Sequence, residues 1–225
     1  MATDSVREMR SAVPEGLFEG NKLDQPTFHR LYEQTPQGFK AELIGGIVHV
    51  ASPVGIAHND PHVLVIAWLS NYAVAKPNTH VLDNATVILD DQSEPQPDAG
   101  LRYRQGTSRI SDNRCNGPPE LVIEVSDSTV VHDLFDKRAD YERHGVSEYL
   151  VLAVEESRAI WFTRGDDGGF VELSPTAGKL QSCIFPGLWL DPDALFDLDH
   201  VRVMAVLNEG LASVGKSEEK MEGGE

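Results

Sequence analysis

Cysteines, basic residues and long apolar runs are all scarce in this sequence. Two cysteines occur, Cys115 and Cys183, too few for a disulfide framework or a cysteine-based zinc site. Lys and Arg total 19 against 36 Asp and Glu, a formal charge of −17. A protein that coats nucleic acid through broad phosphate contact needs the opposite balance. The acid excess reads first as a solubility device, and it leaves room for a small basic patch. The longest apolar run, Val63 to Leu69, is far too short to span a bilayer. Met1 to Arg10 lacks the apolar stretch of a secretory signal. These absences predict a soluble, cytoplasmic protein with no membrane partner. No internal repeat, Walker A loop, G-x-G-x-x-G fingerprint or G-x-S-x-G elbow is present.

What remains is a globular mixture of 225 residues, 40% hydrophobic and 24% charged, with 19 Gly and 13 Pro. That length supports one domain with an ordinary core. The patterning predicts a weakly ordered segment over 1–22, a single domain over 23–207 and an acidic disordered tail over 208–225. Glu209 to Glu225 holds five Glu, two Lys and four Gly, a composition that buries little.

Inside the domain the expected elements alternate irregularly. Pro26 to Tyr32 reads as a short helix, and Gly45-Gly46 between apolar flanks reads as a hairpin turn. A helix capped by Asn59 or Asp60, with Pro61 near its first position, runs to about Tyr72. Strands are expected over Thr79 to Leu89, Leu101 to Arg104, Leu121 to Val125, Glu148 to Val154 and Ala159 to Thr163. Asp133 to His144 reads as a helix closed by Gly145, and a last short helix lies around Asp193 to Phe196. This is an α+β pattern, a mixed sheet with helices.

Glu124 is the anomaly. It interrupts Leu121-Val122-Ile123-Glu124-Val125, and a buried strand holds a carboxylate only when that group is paired or binds a metal. Pro97-Asp98 lies one strand upstream and Lys137 one helix downstream. Two carboxylates at adjacent strand ends can hold Mg²⁺ through oxygen, and a lysine beside the ion can position or deprotonate a water. Each part has a plainer reading. Asp98 is also a turn residue after Pro97, Glu124 a buried partner for Arg102 or Arg104, and Lys137 an i,i+4 neighbour of Asp133 or Tyr141 on a solvated face. The second Pro-Asp, Pro192-Asp193, has no such company and reads as a helix start. Arg102, Arg104, Arg109 and Arg114 face one acid, Asp112, between Ala99 and Pro119, so Arg102 and Arg104 are candidate phosphate contacts. His58 and His62 sit four apart, with no third zinc ligand at a diagnostic spacing.

Several blocks occur in a specific order: Pro97-Asp98-Ala99-Gly100-Leu101, Pro118 to Ser126, Asp133-Leu134-Phe135-Asp136-Lys137 and Tyr141 to Tyr149. They resemble the Uma-two family of restriction endonuclease-like proteins, within the PD-(D/E)XK nuclease superfamily. Glu42 to Val48, Ser52-Pro53 and His58 resemble its N-terminal block, and the likeness covers about Leu23 to Pro192. The resemblance implies a restriction-endonuclease-like mixed central sheet flanked by helices. It implies Mg²⁺ or Mn²⁺ at Asp98 and Glu124, with the Val125 carbonyl as a further ligand and Glu42 able to reach the ion, directly or through water. Lys137 stands in for the signature lysine, since Val125-Ser126 follows Glu124 and no literal E-X-K exists. His58 is an accessory position. After Tyr149 the chain reads Leu150-Val151-Leu152-Ala153-Val154-Glu155-Glu156, where the family has an aromatic and later Asp-Pro; that end is expected to alter packing and not chemistry. The implied function is cleavage of nucleic acid, DNA in the first instance, by a homodimer. On this reading Asp98→Ala or Lys137→Ala abolishes cleavage and spares the fold. The competing reading, motivated by the acidity, is a non-catalytic binding or assembly protein on the same scaffold.

Overall fold

The computed structural model describes residues 13–51, 55–127 and 130–222. Residues 1–12 of the N-terminal segment and the Ser52-Pro53 pair lie outside the described residues. Asp24 caps α1 (Gln25–Tyr32), its carboxylate accepting the Thr27 N–H at 2.9 Å. β1 (Ala41–Ile44) and β2 (Ile47–Val50) form the expected hairpin, closed by Gly45 and Gly46 at φ 56° and 80°. A two-residue turn of this hand needs left-handed backbone at both positions, hence the two glycines.

α2 (Ile56–Ala75) starts earlier than expected. Gly55, not Asn59 or Asp60, is its cap, and Pro61 lies inside the helix. Pro61 is the sixth residue of the helix, past the unpaired first turn, so its missing N–H forfeits one intrahelical bond, to the Ala57 carbonyl. β3 (Thr79–Asp83) and β4 (Val87–Ile88) replace one continuous strand, because Asn84 turns the chain at φ 48°. β5 (Ala99–Tyr103), β6 (Arg109–Ser111), β7 (Arg114–Asn116) and β8 (Leu121–Ser126) follow. β4, β7 and β6 make a small sheet of their own, so the arginine-rich stretch is partly strand. The expected helix after β8 is instead α3 (Val130–His132), a π-helical turn (Asp133–Lys137) and α4 (Arg138–Arg143), ending at His144 with Gly145 at φ 84°. β9 (Glu148–Ala153), β10 (Arg158–Arg164), β11 (Phe170–Glu172), β12 (Leu180–Gln181), β13 (Trp189–Leu190), α5 (Pro192–Phe196) and α6 (His200–Glu222) complete the described chain.

The central sheet has six strands in the order β11-β10-β9-β8-β5-β3. β8 and β9 run parallel and the other neighbours antiparallel, so the sheet is mixed. Side chains alternate across it. Leu121, Ile123 and Val125 of β8 join Leu64, Trp68 and Tyr72 of α2 in the larger core, with Val203 and Leu207 of α6. Val122 faces the other way, onto Tyr141, Val146 and Tyr149. Glu124 shares the parity of Val122 and therefore faces the π turn and α4. Both faces of β8 are covered, which is why its sequence is a near-continuous apolar run. No helix among the described residues is long and apolar enough to cross a membrane.

At the C-terminus a helix stands where a tail is expected from residue 208. Val203, Val206 and Leu207 are buried, and Leu211 continues their stripe against the core. Gly210, which read as a mark of disorder, is a close-approach residue. A Cβ there would collide with the Gly187 carbonyl and the Trp189 ring. At the N-terminal end, Leu17 is buried with Phe28, Leu43 and Val48, so part of the 1–22 segment belongs to the folded body.

Glu148, fully buried at the start of β9, ties down the loop after β12. Its carboxylate accepts the Ser182 hydroxyl and the Cys183 N–H, each at 2.6 Å. Burial pushes its pKa from 4.5 up to about 7, against the pull of those donors. The folded state therefore holds the proton more tightly than the unfolded chain, and stability falls as pH rises between about 4.5 and about 7. A shift of that size corresponds to about 3 kcal/mol. Glu148→Gln is expected to gain on the native chain by that order between about pH 4.5 and about pH 8. Urea denaturation of both proteins across that range checks it, and parallel curves would refute it.

Candidate active site

β5 and β8 pair antiparallel, with Ala99 opposite Ile123. One step further, Asp98 stands beside Glu124 at the end of the ladder. Val125 N–H is left there without a strand partner, and Asp98 Oδ2 accepts it at 2.8 Å. His58, on the first turn of α2, brings Nε2 to 3.2 Å from the same oxygen. His62, one turn on, lies 3.0 Å from the Asp98 carbonyl and 3.2 Å from Asp83. The two histidines thus hold an aspartate; they do not form a zinc pair.

Lys137 enters from the π turn. Such a turn widens the helix locally and is often found at functional sites. Here both Asp133 and Lys137 are buried. Lys137 Nζ lies 2.7 Å from Glu42 Oε2, 3.1 Å from Glu124 Oε1 and 3.7 Å from Asp133 Oδ1. The i,i+4 pairing with Asp133 is present, but in the interior and not on a solvated face. Tyr141 Oη donates to Glu124 Oε1 at 2.9 Å, Ser126 Oγ to Asp133 Oδ2 at 2.6 Å, and Gln96 N–H to Glu42 Oε1 at 2.6 Å. Asp98, Glu42, Glu124, Val125, His58 and Lys137 line one cavity of about 360 Å³.

Three carboxylates, those of Glu42, Glu124 and Asp133, share one ammonium. Burial works against the Lys137 charge, but Glu124, Glu42 and Asp133 outweigh it and hold the lysine well above its usual range. Burial drives Glu124 well above the usual carboxylate range; Lys137 opposes this, and the neighbouring acids add to it. Asp98 goes the other way. Its burial is outweighed by His58, the Val125 N–H and Lys137, so it stays ionised more readily than a free aspartate. The cluster is short of positive charge and rich in hard oxygen donors, which fits a divalent cation of the Mg²⁺ or Mn²⁺ type. Asp98 Oδ1 and Glu124 Oε2 have no hydrogen-bond partner among the described residues. Among the described residues, no three His, Cys, Asp or Glu side chains converge as a ready-made metal cage.

Arg102 and Arg104 lie elsewhere. Arg102 is buried, its guanidinium donating to Ser108 Oγ at 2.8 Å, and Arg104 Nε donates to the Pro77 carbonyl at 3.1 Å. They sit four and six residues along from Asp98, roughly 13 and 20 Å in extended chain. Neither lines the cavity, and Glu124 takes its cation from Lys137. Sequence reasoning missed the Tyr141 and Ser126 donors, and it missed Glu19, His49 and His132 on the cavity wall. His49 was legible in principle, as the residue directly across the hairpin from Glu42.

A crystal structure of "a putative nuclease belonging to DUF820" from Anabaena variabilis ATCC 29413 superposes with a TM-score of 0.58 at 12% identity, covering 74% of this chain and 97% of that one. At that identity the likeness establishes a shared fold. No curated protein matches the chain. The family model Uma2, described as "Putative restriction endonuclease", matches residues 25–193. That match spans the hairpin, both carboxylate strands and the π turn, and the chain belongs to the Uma2 family.

Proposed function

We propose that the protein is a divalent-metal-dependent endonuclease acting on nucleic acid, DNA in the first instance, in the cytoplasm. The observation that carries this reading is the pairing of Asp98 and Glu124 across the end of β5 and β8, with the Lys137 ammonium against Glu124. Asp98, Glu124 and the Val125 carbonyl would hold the ion. A bound Mg²⁺ or Mn²⁺ supplies Lewis-acid polarisation of a phosphodiester and a more acidic water.

The chain's own groups supply placement and charge. Glu42 has both oxygens committed, one to Lys137 and one to Gln96 N–H. It therefore serves as the anchor of the lysine, with any contact to the ion passing through water. Lys137, held protonated, steadies Glu124 and lends positive charge to a phosphate that gains negative charge during attack. It does not serve as the proton acceptor. His58 fixes the rotamer of Asp98. Cleavage of both strands of a duplex calls for two such sites, hence a homodimer.

Calorimetry with Mn²⁺ or Mg²⁺ tests the reading, comparing the native chain with an Asp98→Ala/Glu124→Ala double variant of verified fold. Binding to the native chain and its loss in the variant are expected, with cleavage of a DNA substrate in the same metal. If neither protein takes up metal, alone or with a short oligonucleotide added, the reading fails and a non-catalytic assembly role gains.

A further inference from the structure

The proposed hydrolysis needs a group that takes a proton from water, and the lysine is not free to do so. Among the residues lining the cavity, Glu42 has both oxygens engaged and His58 gives its Nε2 to Asp98. His132 Nε2 is sealed from solvent without a hydrogen-bond partner among the described residues, its Nδ1 lying 2.9 Å from Asp136 Oδ2. His49 differs from all of these. Its side chain is 24% exposed, and its Nδ1 lies 3.3 Å from Glu19 Oε1. Glu19 is itself fixed by the Val50 N–H at 2.7 Å. A carboxylate this near Nδ1 favours the tautomer that carries its proton there, with the lone pair on Nε2. Among the described residues that Nε2 has no hydrogen-bond partner. His49 pairs directly with Glu42 across the hairpin, so the two side chains project from the same face. The His132 ring backs it at 4.2 Å between centroids, tilted by 39°.

We infer that His49 is the general base of this site, with Glu19 orienting it and His132 walling the ring. The inference rests on the nuclease reading. In the step it describes, His49 Nε2 removes one proton from a water as the water oxygen forms a bond to phosphorus. The bond from phosphorus to the leaving sugar oxygen breaks, and that oxygen keeps the electron pair and takes a proton from solvent. The imidazolium then returns its proton to solvent. A phosphodiester and water become a phosphomonoester and an alcohol, and no other reactant is needed.

The test compares His49→Ala, His49→Gln and Glu19→Gln with the native chain on a DNA oligonucleotide in Mn²⁺. General-base removal is worth about 10²- to 10⁴-fold in rate. We expect a loss of at least about a hundredfold for both His49 variants, a smaller loss for Glu19→Gln, and unchanged oligonucleotide affinity and metal uptake by calorimetry. Free imidazole added to His49→Ala is expected to restore part of the rate, because the removed ring leaves room at a solvent-reached wall. A merely structural histidine would give no rescue, and equal loss in the presence and absence of imidazole overturns the assignment. Full activity in His49→Ala beside an inactive Asp98→Asn overturns it too and leaves the nuclease reading standing. A native chain that cleaves nothing removes both.

Discussion

Lys137→Ala is expected to lower folding stability by about 3–5 kcal/mol, the usual result of stripping one partner from a buried charge cluster. The sequence alone led to the opposite expectation, an inactive protein of unchanged fold. The difference lies in burial. Lys137 and Glu124 are both nearly inaccessible, and the ammonium is shared by Glu42, Glu124 and Asp133 at 2.7, 3.1 and 3.7 Å. Without it those carboxylates face one another in a poorly hydrated space, and some must fold protonated. Lys137→Met, which keeps most of the volume, is expected to be almost as damaging, since the lost contribution is charge and not packing. For a chain of this length the fall corresponds to roughly 10 °C in melting temperature. Mn²⁺ is expected to recover part of it, because a cation in the cluster supplies the positive charge that the lysine no longer does. Urea denaturation with and without Mn²⁺ makes the measurement. A loss below about 1 kcal/mol would mean the cluster behaves like an exposed pair.

Lys137 marks the boundary between what the sequence could carry and what it could not. The order of the candidate site residues was readable: Asp98 before a strand, Glu124 inside an apolar one, Lys137 on the helical segment that follows. So was the central sheet, because covered strands write themselves as Leu121-to-Val125 and Tyr149-to-Leu152 runs. Burial of charge was not readable, since an i,i+4 Asp133–Lys137 pair has one spelling whether it faces solvent or core. Nor did composition reveal the last helix. Gly210 looked like a breaker because the Gly187 backbone that needs it close lies far upstream in the chain. The arginines misled for a related reason. A local excess of positive charge says nothing about where a strand carries it, and β5 carries Arg102 away from Asp98 into a pocket made by Ser108. His49 was readable only through the register of the two-residue hairpin, which sets it opposite Glu42.

Asp98→Asn is expected to reduce metal-dependent cleavage by at least about a thousandfold, the upper end of what one preorganised charge contributes, while changing stability by less than about 1 kcal/mol. The isostere separates chemistry from folding at this position. The carboxamide oxygen that the Asp98→Asn change introduces still accepts the Val125 N–H, the bond that closes the β5–β8 ladder. What disappears is the negative charge, which His58 and Lys137 help to keep ionised and which an ion would need. Removing it also relieves Glu124 of one neighbouring acid, so no buried charge is orphaned, in contrast to the lysine variants. The two substitutions should therefore separate cleanly: Lys137→Ala loses fold and activity together, Asp98→Asn loses activity alone. Cleavage rates in Mg²⁺ and Mn²⁺, taken beside denaturation curves of the same preparations, read both quantities. An Asp98→Asn chain that cuts at the native rate would show that the carboxylate pair is structural, and the site would then have to be sought elsewhere in the cavity. An Asp98→Asn chain as unstable as Lys137→Ala would show that Asp98 and not Lys137 governs the charge balance of the cluster. The hydrogen bonds argue otherwise: Asp98 is held from outside, by Val125 and His58, whereas Glu42, Glu124 and Asp133 all converge on the lysine.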